Sequence, residues 1–107
     1  MTRNMKFEER VWKFMEKIPR GKVTTYGLIA RKLNTNAYRA VGNACRENPY
    51  APRVPCHRVV KSDGTVGGFG GKTSGKTIEK KIQMLRKEGV EVRNRKIVDF
   101  EKVLFKF

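Results

Sequence analysis

The run "GKVTTYGLIARKLNTNAYRAVGNACRENP", Gly21 to Pro49, decides how this chain folds. Thr24 or Thr25 is placed to cap a short helix from Tyr26 to Leu33, with Leu28, Ile29 and Leu33 turned inward. Asn34, Thr35 and Asn36 form a turn, and Asn36 is the expected cap of a second helix from Ala37 to about Arg46. Asn48-Pro49 stops that helix. Two short helices joined by a turn of about three residues form a helix-turn-helix, here over about residues 24–47. The second helix is rich in small residues (Ala37, Ala40, Gly42, Ala44) and can approach another surface closely. Gly42 inside it costs about 1 kcal/mol of helix propensity relative to alanine, which points to a packing or ligand contact.

Outward from this run, "KFEERVWKFMEKI" repeats Phe7, Val11, Phe14, Met15 and Ile18 at helical spacing, and Pro19 and Gly21 end the helix. Trp12 lies beside the stripe and reads as packing. On the other side, "HRVV", a turn at Asp63-Gly64 and "TVGGFGG" predict a small hairpin. The glycines around Phe69 leave backbone N–H groups open, and a basic "KTSGK" follows. A last clear helix is expected from about Thr77 to Glu88, with Ile78, Ile82 and Leu85 inward and Gly89 as its stop. "VEVRNRKIVDFEKVLF" fits one or two short strands, or a strand and a short helix. The expected fold is mainly α with a small β hairpin, a winged-helix-like helix-turn-helix in one domain over residues 1–107.

Composition narrows the partners. Basic residues outnumber acidic ones 25 to 10, a net charge of +15, which predicts attraction to a polyanion, nucleic acid before an acidic membrane surface. A thermophile-like solvated surface is the bland alternative, but such surfaces balance Lys with Glu. No apolar run is long enough to span a bilayer and the charged N-terminus has no signal-peptide core, so the cytoplasm is the expected location. Cys45 and Cys56 are too few for a secreted disulfide framework, although a bridge between them is possible in principle. One His and two Cys cannot close a four-ligand zinc site without a carboxylate, so no metal is expected.

"VPCHRVV", Val54 to Val60, places Cys56 beside the chain's one histidine, His57. A thiol becomes a strong nucleophile as a thiolate, and a nearby base promotes that form. Adjacency in sequence does not bring the two side chains together; a water could bridge them, and Glu88 is a candidate to orient the imidazole. Taken alone, the pair reads equally well as buried and inert.

The order "RAVG", "ENP", "PCHRV" at residues 55–59, then "GTVGGFGG", resembles the active-site region of the O6-alkylguanine-DNA alkyltransferases, from the first helix through Glu88. The resemblance implies a repair protein that binds double-stranded DNA through its helix-turn-helix in the minor groove and flips out O6-alkylguanine. It then moves the alkyl group irreversibly to its own cysteine, with no cofactor, as a monomer. Residue by residue, Cys56 matches the alkyl acceptor, His57 the base acting through water, and Glu88 the acid that orients it. Arg39 matches the arginine filling the gap left by the flipped base, with Ala40 and Gly42 on the same DNA-facing helix. Tyr26 matches the tyrosine that assists the flip, and Asn48 the asparagine linking the recognition helix to the active-site turn. Val66, Phe69, Gly70, Lys81 and Asn48 match the substrate pocket, where N–H groups near Gly70 and the Tyr26 hydroxyl would stabilise the displaced O6.

Plainer readings stand beside these. Tyr26 fits a half-buried core position, Arg39 one more surface arginine, Lys81 a solvated basic face, and Glu88 a surface pair with Arg86 or Lys87. Cys45 reads as a small buried side chain. The sequence also departs from the family: five residues precede Lys6 where an additional domain is usual, Phe69 replaces a frequent tyrosine, Gly70 stands where a serine can occur, and "KTSGKT" looks long. A short single-domain form also resembles the alkyltransferase-like lesion binders, which lack the acceptor cysteine; Cys56 argues against that alternative.

Overall fold

The computed structural model describes residues 6–68 and 75–107. Helix α1, Phe7–Met15, begins where Glu9 Oε1 accepts from the Lys6 N–H at 2.9 Å. It buries Val11 and Met15, with Phe7 and Phe14 partly covered. The expected stripe continues to Ile18, but the chain leaves the α-helix earlier by tightening: Ile18 N–H reaches Met15 O rather than the carbonyl four residues back. Trp12 packs as expected, its indole N–H donating to Ala44 O at 2.8 Å.

Strand β1, Thr24–Thr25, runs into helix α2, Tyr26–Lys32. Thr25 is the cap, its hydroxyl accepting from Leu28 N–H at 3.0 Å. Ile29 and Leu33 are buried, while Leu28 is only partly so. The turn pivots at Asn34, whose φ of 58° is left-handed, a conformation asparagine tolerates better than most residues. Helix α3, Tyr38–Arg46, packs on α1 and α2. Its start differs from expectation: Asn36 provides no side-chain cap, and Thr35 Oγ1 takes the Ala37 N–H at 3.1 Å. The helix-turn-helix is in place, and the described architecture is mainly α.

A short 3-10 turn, Cys56–Arg58, leads directly into strand β2, Val59–Val60. The Asp63-Gly64 turn forms, with Lys61 N–H bonded to Thr65 O and Gly64 at φ 88°. Among the described residues, the expected hairpin around it does not form. Strand β2 pairs in parallel with β1, Thr24 opposite Val59 and Thr25 opposite Val60. The chain after the turn pairs instead with the C-terminal segment, Val66 N–H donating to Arg95 O. The regular hairpin lies there: β3, Val92–Arg93, and β4, Lys96–Ile97, joined by Asn94 and Arg95, both with positive φ. Two left-handed residues make the turn match the strand twist. A short helix α5, Phe100–Val103, follows, so the tail contains two strands and a helix.

Helix α4, Lys76–Lys87, ends in a Schellman motif: Val90 N–H bonds Leu85 O and Gly89 N–H bonds Arg86 O, with Gly89 at φ 89°. Its inner residues Ile78, Ile82 and Leu85 join Val23, Val60, Val66, Val90, Val92 and Ile97 in one core. A second core holds α1, α2 and α3 with Val54, Cys56 and Val59. Successive residues of a strand face opposite ways, so Val59 enters one core and Val60 the other, and β2 is the seam between them. Cys56 and His57 sit at the entrance to that seam. No helix of the described residues is long and apolar enough to cross a membrane.

Candidate active site

Asn48 shapes the approach to Cys56. Its Oδ1 accepts from Tyr50 N–H at 2.9 Å and its Nδ2 donates to Val54 O at 2.7 Å, folding the loop after α3 back on itself. The Ala51–Pro52 peptide in that loop is cis. Cys56 N–H then bonds Val54 O, and Arg58 N–H bonds Pro55 O, closing the turn. Cys56 is 9% exposed and His57 2%. Both cysteines are free thiols.

The histidine is held from the far end of α4. Glu88, the residue capping that helix, places Oε2 2.9 Å from His57 Nε2. Arg58 grips the same carboxylate, Nε to Oε1 at 2.9 Å and Nη2 to Oε2 at 2.7 Å, and donates Nη1 to Ile18 O at 2.8 Å. Glu88 therefore pairs with His57 and Arg58 rather than with its neighbours; Arg86 reaches Val92 O instead. An ionised carboxylate facing Nε2 accepts a hydrogen bond from the ring N–H there and leaves Nδ1 as the basic nitrogen. Nδ1 is buried without a hydrogen-bond partner among the described residues.

Lys81 is fully buried, not part of a solvated basic face. Its ammonium donates to Val59 O at 2.8 Å, to Gly68 O at 3.0 Å and to Val66 O, bracing β2 against the start of the glycine-rich segment. Three carbonyls supply what a desolvated cation lacks.

Electrostatics follow from burial. Desolvation pushes the Cys56 thiol up, opposed by the Asn48 amide and the Lys81 charge. Desolvation also lowers His57, against the pull of Glu88, so the imidazole is neutral at pH 7. Burial brings Lys81 down to about 8, leaving it protonated at neutral pH. Desolvation is the largest influence on Glu88 and opposes ionisation, but the hydrogen bonds from Arg58 and His57 outweigh it and hold Glu88 below the usual carboxylate range. Cys45 is pushed up to about 12, first by burial and then by Cys56, and its Sγ lies 3.5 Å from Met15 Sδ. It is the inert packing residue its sequence context suggests.

Tyr26, the first residue of α2, is partly buried, and its hydroxyl is raised by desolvation and then by Cys45 and Cys56. A Cβ at Gly67 would lie 3.6 Å from the Tyr26 ring and 3.1 Å from Lys61 Cγ, and φ there is 72°. Val66 is buried in the α4 core, and it meets the site through its carbonyl alone. Arg39 is exposed on α3, with no hydrogen bond or ion pair among the described residues. Ala40 and Gly42 are partly exposed on the same helix, and a Cβ at Gly42 would have nothing within 4 Å. The cost of Gly42 thus has no explanation in packing among the described residues. Phe69 and Gly70, together with residues 71–74, lie outside the described residues.

The structure gathers Cys56, His57, Glu88, Lys81, Asn48 and Tyr26 around one seam and leaves Arg39, Ala40 and Gly42 on an outer helix face. Arg58 is the functional residue the sequence reading passed over. Its signal was present in "CHRV": an arginine next to a histidine expected to meet a carboxylate also competes for that carboxylate.

The fold joins a helix-turn-helix, a plan common among DNA-binding domains, to a buried thiol at Cys56. The family model described as "6-O-methylguanine DNA methyltransferase, DNA binding domain" matches residues 6–90, and the chain belongs to that family. A methylated-DNA–protein-cysteine methyltransferase of Thermococcus kodakarensis is 48% identical over 86 residues, covering 79% of this chain and 45% of that protein. One from Candida glabrata is 43% identical over 90 residues, covering 83% and 41%. The chain thus spans less than half the length of these curated relatives. Among solved structures, Mycobacterium tuberculosis OGT in complex with DNA superposes with a TM-score of 0.70 at 41% identity, covering 80% of this chain and 51% of that one. S. pombe Atl1, bound to damaged DNA containing O6-carboxymethylguanine, superposes at 0.78 with 29% identity, covering 94% and 95%.

Proposed function

We propose that this chain is the active-site domain of an O6-alkylguanine-DNA alkyltransferase, which repairs double-stranded DNA by moving the alkyl group from guanine O6 to Cys56. The observation that carries the reading is the His57–Glu88 contact at 2.9 Å beside the Cys56 turn, in a chain whose relatives are named for cysteine methylation.

The chemistry balances without a cofactor. The Cys56 proton passes through water to His57 Nδ1, while Glu88 on Nε2 stabilises the imidazolium that results. The sulfur attacks the alkyl carbon; an S–C bond forms as the C–O6 bond breaks, and the electron pair stays on guanine. His57 then gives its extra proton through water to the guanine anion, leaving neutral guanine, a neutral imidazole and a thioether. Because desolvation raises the resting thiol, the thiolate forms only as its proton is taken. That restrains side reactions of a nucleophile that works once.

Tyr26, at the start of α2, is assigned to the flipped nucleotide, and Asn48 and Lys81 to keeping the pocket backbone in place. Arg39 occupies the position vacated by the base. A planar, permanently charged guanidinium suits that position, and its exposure with no partner among the described residues leaves it available. Val66, Phe69 and Gly70 complete the pocket in this reading.

A second reading is a sensor that binds alkylated guanine without transfer. It is favoured by the end-to-end match with Atl1, 94% of this chain and 95% of that one. Intact mass after incubation with an oligonucleotide carrying O6-methylguanine separates the two. Alkyl transfer adds one methyl, about 14 Da, to the protein and none to Cys56→Ala. Tight lesion binding with no mass change makes the sensor correct.

A further inference from the structure

Arg58 has been given no role in the site, yet its side chain makes three hydrogen bonds there. Its Nε and Nη2 form a two-point grip on Glu88 while Nη1 reaches Ile18 O beyond the end of α1. Glu88 Oε2 is consequently shared: His57 Nε2 at 2.9 Å and Arg58 Nη2 at 2.7 Å approach the same oxygen. We infer that Arg58 is a positioning residue that keeps Glu88 ionised on His57 Nε2 and offsets its charge, so that the imidazole rests neutral with Nδ1 open to accept a proton.

The physical reason is a conflict within the proposed mechanism, on which the proton-accepting role rests. A buried carboxylate facing a histidine does two things: it fixes the tautomer, which helps a base, and it stabilises the protonated ring, which disarms one. A base that already carries its second proton cannot take the proton of a thiol. The arginine resolves the conflict by spending part of the carboxylate's field. Bidentate pairing makes the grip directional as well as charged, so Glu88 stays aimed at Nε2 when the ring becomes charged.

Among the described residues, the charged groups acting on His57 are Arg58 from its own turn and Lys81 and Glu88 from α4 and its C-terminal cap. Glu88 favours the charged ring; Arg58 and Lys81 oppose it, with Arg58 the larger of the two. Lys81 is occupied by three carbonyls, whereas Arg58 contacts the carboxylate itself. Replacing Arg58 by a neutral residue removes an influence that lowers the imidazole and leaves Glu88 unshared, so the ring must hold its proton to higher pH.

His57 is the chain's one histidine, so its ring resonances report the titration without ambiguity. In Arg58→Gln the NMR midpoint is expected to rise by about one pH unit. The acid limb of the alkylation rate moves the same way. An arginine that only braces the fold would lower the melting temperature and leave the midpoint where it was. A folded Arg58→Gln protein with an unchanged or lower midpoint overturns the inference. Should that variant not fold, Arg58→Lys carries the test. Lysine keeps the charge but cannot grip both oxygens and Ile18 together, so the midpoint still rises, by less; no rise overturns the inference equally. The titration uses the protein alone, so an absence of alkyl transfer would sink the proposed reaction without touching this result.

Discussion

The turn at Cys56–Arg58 and helix α3 both contribute to one core, but the turn and the outer face of α3 are built on opposite rules. Around the turn, Asn48, Arg58, Lys81 and Glu88 each make two or three named hydrogen bonds. His57 Nδ1 is the one imidazole atom there with no partner among the described residues. On α3, Arg39 is exposed without such bonds among the described residues, and Gly42 has open space where a Cβ would stand. The first region is over-determined and the second is left unfinished. In the proposed reaction, nucleophile and base must keep their geometry, which costs constraint. A surface that meets DNA gains its contacts on arrival and needs only charge and a low profile.

Lys81 offers the hardest test of that contrast. Lys81→Met keeps the length of the side chain and removes the donor from three carbonyls. Each buried acceptor left unpaired costs about 1–3 kcal/mol, so the loss of stability is expected to be at least about 3 kcal/mol in urea unfolding. A loss under about 1 kcal/mol would mean that the interior site tolerates change as a surface does, and the contrast would fail.

This lysine also marks how far the sequence could be read. Hydrophobic spacing placed α1, α2, α3 and α4, and the capping signal at Thr25 and the stop at Gly89 were both legible because they are local. The pairing of β2 was not. Asp63-Gly64 forms its turn, yet β2 selects Thr24 and Thr25, some 35 positions earlier, as a parallel partner. Two-residue strands carry almost no alternation to read, and long-range pairing is decided by which core each face must enter. The hairpin that did form uses Asn94-Arg95, where the usual glycine at the second position is missing and the signal is correspondingly faint. In the site, "PCHRV" pointed to Cys56 and His57, and the spacing of α4 put Glu88 within consideration. Whether Glu88 met the histidine or its own neighbours depended on where α4 ends against the turn, which is a tertiary fact. Lys81 at 0% exposure lay beyond composition altogether, since a lysine among lysines reads as solvated.

Arg39→Ala tests the unfinished face with an intermediate effect. No bond within the described structure is lost, so stability should stay within about 0.5 kcal/mol of the parent. If the guanidinium replaces the flipped base, duplex repair should slow by about 30-fold, a share of the few kcal/mol that unstacking costs. Reaction with the free alkylated base should be unchanged. Equal losses on both substrates would show Arg39 acting on the site rather than on the duplex.

The smallest effect is the most discriminating, because its two halves have opposite signs. Gly42→Ala adds a methyl group where nothing lies within 4 Å and removes a helix-interior glycine, so the fold should gain about 1 kcal/mol. Had Gly42 been required for packing within the chain, the same change would destabilise it. The remaining reason to keep a costly glycine is a close approach from outside, so the more stable variant should bind duplex DNA more weakly, with steady-state affinity at fixed salt as the readout. A gain in stability with unchanged affinity would place the duplex elsewhere on the molecule. A loss of stability would mean that α3 is finished from within, and the distinction between the two regions would no longer hold.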